Sequence, residues 1–195
     1  MPEYKTREQW YYAAAKFLEQ RVFKPDGHEL PKFRIGCGWP VGNRAKVGAQ
    51  CWDNKASGDK TYEIFISPTQ TDPAHILEVI IHELCHAVAG IEAHHKKPFI
   101  EVMRTCGMVK PWKSSVAGED LQPTLAKIAE KLGPYPHAKL GLREQIKKQT
   151  TRMVKLQCPE CDYIVRTTRK HLEEKGAPIC PIHGMPFQTD EERAE

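Results

Sequence analysis

Between Thr6 and Val22 the apolar side chains Trp10, Ala13, Ala14, Phe17, Leu18 and Val22 recur every three or four positions. That spacing lays one apolar stripe along an α-helix, which Pro25-Asp26-Gly27 is expected to stop. The period then falls to two. Lys32 to Gly36, Lys46 to Trp52 and Tyr62 to Ser67 are short alternating runs, separated by Gly38-Trp39-Pro40, Gly42-Asn43 and Ser57-Gly58-Asp59. They read as three strands joined by turns. Asp72-Pro73 supplies an N-cap carboxylate and a proline for a first helical turn, and the apolar run behind it reaches Gly90, a fitting C-cap. Further helices are expected from about Phe99 to Cys106 and from about Glu119 to Leu132, the second ended by Gly133-Pro134. Helix, strands, then helices is the order of an α+β domain.

The pattern changes after residue 138. Lys139, Arg143, Lys147, Lys148, Arg152 and Lys155 stand against one acid, Glu144, with few apolar residues, which reads as a basic linker or exposed helix over 139–152. A compact Cys-containing unit and an acidic end occupy 153–195, leaving 1–138 as the main domain.

The helix ending at Gly90 carries the chemistry. His82 and His86 lie four residues apart, one turn above each other on one face, where both can ligate one zinc ion. Glu83 is then beside the metal without being its ligand, placed to take a proton from a water that the metal acidifies. HExxH has three fixed positions and also arises by chance. Here Ile76, Leu77, Val79, Ile80, Ile81, Leu84, Ala87 and Val88 make the helix apolar nearly all round, and burying two histidines and a glutamate there is costly without a partner. A catalytic zinc needs a third protein ligand and an open fourth position. Gly90 lets the chain turn back, and His94 and His95 follow. The metzincin spacing is not met, because Ala89 and Glu92 stand where it requires glycine and histidine. Glu92 lies too close to the turn to be favoured as third ligand.

Two knuckles follow, Cys158-x2-Cys161 and Cys180-x2-His183, eighteen residues apart. Three thiolates and an imidazole suit a closed, structural zinc site, and a unit of this size needs one to fold. His171, in the helix-like KHLEEK, is a weaker alternative to His183. Cys37, Cys51, Cys85 and Cys106 fall outside any knuckle and are expected to be small buried residues.

The stretch HELCHAVAG...HHKKPF resembles the SprT-like zinc metallopeptidases, which include the Spartan proteases. Their signature is HExxH followed by a segment of the type H-G-x-x-F. His95 stands four residues before Phe99 and takes the place of the third histidine; Lys96 departs from the usual glycine. The resemblance implies a zincin-like metalloprotease domain, with helices packed on a small, mostly antiparallel sheet, plus a small β-rich zinc ribbon. It implies His82, His86 and His95 as ligands of a catalytic zinc, Glu83 as the catalytic base, and a substrate laid along a sheet edge, which TYEIFISP resembles. A second zinc would sit on Cys158, Cys161, Cys180 and His183.

The formal charge of +4 permits an anionic partner without demanding one. Lys147, Lys148, Arg152, Lys155, Arg166, Arg169 and Lys170, with Tyr163, are candidate nucleic-acid contacts. Studied eukaryotic members of the resembled family cleave proteins crosslinked to DNA, which strengthens that reading. The first ten residues lack an apolar core of a signal peptide and no apolar run reaches a membrane span, so a cytosolic or DNA-associated protein is expected. The sequence thus points to a zinc endopeptidase acting on protein or peptide. Its rival is a DNA-binding or recruitment module with a vestigial or regulatory site, which the intact Glu83 argues against.

Overall fold

A computed structural model of the chain describes residues 3–41, 47–141 and 153–193. The chain divides into two compact units, 1–143 and 144–195. In the first, the Thr6 hydroxyl accepts the Gln9 N–H at 3.2 Å and starts helix α1 (Arg7–Leu18). A wider turn carries the helix on through Phe23, and Gly27 ends it at φ 76°, a conformation that glycine adopts without steric cost. Trp10, Ala14 and Leu18 of the expected stripe are fully buried, Ala13 and Phe17 only partly so, and Tyr11, outside that stripe, is fully buried as well.

Three strands follow, β1 (Phe33–Cys37), β2 (Ala49–Trp52) and β3 (Tyr62–Ile66), arranged in the order β1-β3-β2. β1 runs parallel to β3, and β2 antiparallel to it. Two expectations are corrected here. This sheet is mixed, and the segment expected at its edge, TYEIFISP, is its central strand. Ile64 and Ile66 explain the placement, since both are fully buried and find packing in the middle of the sheet. β2, which ends in the exposed Trp52, takes the edge.

The edge strand matters because it borders helix α2 (Pro73–Ala89). Asp72 caps α2 by accepting the His75 N–H at 3.0 Å, and Gly90 ends it at φ 82°. Ile76, Leu77, Ile80, Ile81 and Leu84 anchor α2 in the core. A tight turn over Ile91–Ala93 leads to α3 (Lys97–Thr105). A two-residue hairpin, β4 (Met108–Val109) and β5 (Val116–Ala117), precedes α4 (Gln122–Leu132), whose Leu125, Ile128 and Leu132 close the core.

The second unit pairs β6 (Met153–Gln157) antiparallel to β7 (Ile164–Thr168), followed by α5 (Arg169–Lys175). Its buried core is Leu156, Cys158, Cys180 and Phe187. The described parts of the protein are therefore α+β. No helix among the described residues is long and apolar enough to cross a membrane. Cys51, Cys85 and Cys106 are buried as expected; Cys37 is half-buried instead, and its sulfur accepts a hydrogen bond from Arg7 Nη1 at 3.2 Å.

Candidate metal centres and the cleft beside α2

His82 and His86 share a face of α2, and the turn after Gly90 brings the His95 ring against them. The His95 Nε2 lies 3.3 Å from His86 Nε2 and 3.3 Å from His82 Nε2. Two nitrogens bound tetrahedrally at 2.0–2.1 Å to one zinc would stand roughly 3.3 to 3.4 Å apart. One ring N–H on His95 could serve only one of these two neighbours, whereas a cation at the point of convergence would serve all three. The three residues form a group able to hold a metal ion, compatible with zinc.

The surroundings keep these rings neutral and aimed. Burial, then the neighbouring His95, pushes the His82 imidazole down to about 4. Burial, then His82, pushes His86 down to about 3, and burial lowers His95 with Lys113 next in importance. The rings therefore offer lone pairs at neutral pH. His82 Nδ1 lies 3.0 Å from the hydroxyl of Ser115, and donation there leaves Nε2 free to bind. His86 Nδ1 is buried with no hydrogen-bond partner among the described residues. Phe99, wholly buried, stacks on His86 at 4.2 Å between centroids and meets His82 and His95 edge-on at 5.1 Å each. The aromatic residue four positions after His95 thus forms one apolar floor for all three rings.

His94 is exposed and lies outside the group, as does Glu92, which forms an ion pair with Lys55. The backbone at His94 has φ 48° and ψ −134°, a strained combination for a residue with a side chain. It accompanies the sharp turn that brings His95 back over α2.

Glu83 is 6% exposed and lines the same cleft as His82 and His95. Burial pushes its carboxyl up to about 8, with the backbone amide of Cys51 pulling weakly the other way. A cation on the adjacent imidazoles would draw it back down, leaving a group able to gain and lose a proton near neutrality. The cleft has a volume of about 450 Å³. One wall is Val47, Gly48 and Ala49 leading into β2, another is α2, and the third is the segment Lys113–Val116. The Gly48 carbonyl accepts from Ser67 at 2.8 Å, continuing the β2–β3 ladder. Alternation along an antiparallel pair then turns the backbone groups of Ala49 and Cys51 outward from the sheet.

Sequence reasoning missed Ser115, Glu78 and Lys113, which line this cleft. Strands of two residues are too short to show alternation, so the hairpin carrying Ser115 left no periodic signal. Its trace in the sequence is the pair of glycines flanking it, Gly107 and Gly118. Replacing Ser115 with alanine is expected to weaken metal binding at the histidine group by about 10- to 100-fold, the usual effect of losing a partner that orients a ligand. Competition against a chromophoric chelator measures this, and the cysteine group should be unaffected.

In the second unit the donor atoms of Cys158, Cys161, Cys180 and His183 lie within 4.8 Å of one another. The His183 Nδ1 stands 3.7 Å from Cys158 Sγ and 3.8 Å from Cys180 Sγ, and the Cys161 and Cys180 sulfurs are 4.0 Å apart. Tetrahedral zinc places sulfurs roughly 3.8 Å apart, so this group also fits a metal. Burial alone would raise the Cys180 thiol, but hydrogen bonds to its sulfur from the backbone amides of His183 and Ile182, and then from the side chains of His183 and Cys158, together lower it to about 6. His171 lies apart, its ring 3.1 Å from the Thr168 hydroxyl at the start of α5.

Of the candidate nucleic-acid contacts, Lys155 and Arg166 stand directly opposite each other on β6 and β7. Lys155 reaches Asp190 at 3.3 Å. Arg166, Arg169 and Lys170 are exposed, and Lys170 lies 3.8 Å from Glu174. Lys147, Lys148 and Arg152 lie outside the described residues, as does most of the expected basic segment.

No family model, no curated protein and no solved structure matches this chain.

Proposed function

We propose that this protein is a zinc-dependent endopeptidase, built along the lines of the SprT-like enzymes its HExxH segment resembles. The observation that carries the proposal is the meeting of three imidazole nitrogens beside the buried Glu83, in a cleft bordered by an edge strand. A zinc ion held by His82, His86 and His95 would supply an acidified water and a Lewis acid for the peptide carbonyl. Glu83 takes the proton of the attacking water and returns it to the leaving amine. The outward backbone groups of Ala49 offer an extended substrate main-chain hydrogen bonds, which read little of its sequence. Phe99 and Ser115 hold the imidazoles in place throughout.

The second unit is proposed to be a zinc ribbon, with Cys158, Cys161, Cys180 and His183 holding a structural zinc. The exposed Arg166, Arg169 and Lys170 suit an anionic partner such as DNA, which supports a DNA-associated protein as substrate. Digestion of an unfolded test protein, with and without duplex DNA, tests the reading. We expect cleavage that chelation abolishes and added zinc restores, faster when DNA and substrate are bound together. No cleavage by protein carrying two zinc ions, with or without DNA, would favour a binding module instead.

A further inference from the structure

Glu78 lies one helical turn before His82 on the same face of α2 and lines the cleft. Its side chain is 19% exposed. One carboxylate oxygen accepts the Ala117 N–H at 2.8 Å, while the other has the half-exposed His75 ring at 3.4 Å, beyond a good hydrogen bond. An ionised carboxylate offers about four acceptor positions, and these two contacts leave part of that capacity unused in a residue that lines the cleft. Among the described residues that line the cleft, the one Lys or Arg is Lys113, which acts on His95. The Glu78 carboxylate thus stands on the α2 wall of the cleft, one turn from the metal ligands.

We infer that Glu78 selects substrates carrying a lysine or arginine side chain next to the scissile bond. The inference rests on the endopeptidase reading and gives its cleft a substrate class. Along α2 one helical turn of about 5.4 Å separates Glu78 from His82, a span equal to between one and two residues of an extended peptide at about 3.3 Å each. A basic side chain so placed reaches the free carboxylate oxygen while the peptide backbone runs along β2. The Ala117 N–H holds the other oxygen and fixes the carboxylate's direction.

Binding separates this inference from turnover. Zinc-loaded Glu83→Gln protein is titrated with fluorescent extended peptides that carry lysine, ε-acetyl-lysine or glutamate at each central position in turn. Lysine at one position is expected to bind on the order of tenfold more tightly than acetyl-lysine there, the size of one charge-assisted hydrogen bond, and glutamate more weakly than either. Adding Glu78→Gln, which keeps an oxygen for the Ala117 N–H, should bring the lysine to acetyl-lysine ratio close to one. Equal binding of the three peptides, absence of peptide binding, or a preference that survives Glu78→Gln overturns the inference. The peptide comparison decides the matter even if the double variant fails to fold. A preference for lysine without turnover by the unmutated protein would sink the peptidase reading and leave the subsite standing; turnover without the preference would do the reverse.

Discussion

Glu83→Gln should leave metal bound at both groups and lower peptide-bond hydrolysis by about 10³-fold, within the usual range for losing a general base. Glutamine matches the shape of glutamate and can still accept from the Cys51 amide, but it cannot take a proton from water. The substitution should also stabilise the metal-free protein. Burial raises the Glu83 carboxyl from its ordinary 4.5 to about 8, so the folded state favours the protonated form. The resulting stability is fully present below pH 4.5 and is lost as pH rises toward 8. At pH 7 the loss is roughly 3 kcal/mol, which a neutral glutamine does not incur. We therefore expect a higher Tm for chelated Glu83→Gln than for the chelated unmutated protein at pH 7, and the gap should narrow at pH 5. Zinc-loaded protein should show a smaller gain, because the cation favours the carboxylate. Full hydrolysis with zinc still bound would remove Glu83 from the reaction, and a lower Tm in chelator would show that its charge is already compensated.

The same burial explains how much of this site is legible in the sequence. His82, Glu83 and His86 stand out because polar groups interrupt a helix that is otherwise apolar, and because a period of four is a statement about one helix face. His95 could be read from its distance to Phe99, although the spacing alone says nothing of the stacking at 4.2 Å that gives Phe99 its place. The knuckles are local and so are legible, down to His183 in preference to His171. Pairing between distant segments is not. TYEIFISP has the stronger strand pattern, and that strength puts it in the middle of the sheet, while the weaker AQCW becomes the edge beside the cleft. Ser115 and Glu78 acquire their roles only once β5 crosses near α2, through two hydrogen bonds that join residues 33 and 39 positions apart. No periodicity within either segment encodes such a meeting.

Cys158→Ala tests the second unit at its weakest point. Its buried core consists of Leu156, Cys158, Cys180 and Phe187, and two of those four are members of the proposed metal group. So small an apolar core does not hold a fold on its own. Structural zinc sites contribute roughly 10–16 kcal/mol to folding, and removing one thiolate from a closed set of four forfeits most of that. The substitution should reduce bound zinc from two ions to one, and amide exchange in β6 and β7 should rise to the rate of an unfolded chain. Exchange in α2 should not change, since the first unit has its own core around Ile80, Ile81 and Leu84. Cleavage of a short peptide should persist, while cleavage that depends on DNA should be lost with the surface carrying Arg166, Arg169 and Lys170. Two bound zinc ions and continued protection of Val154 and Val165 would show that this unit folds without the metal. Loss of the α2 protection together with that of β6 would instead show that the two units fold as one.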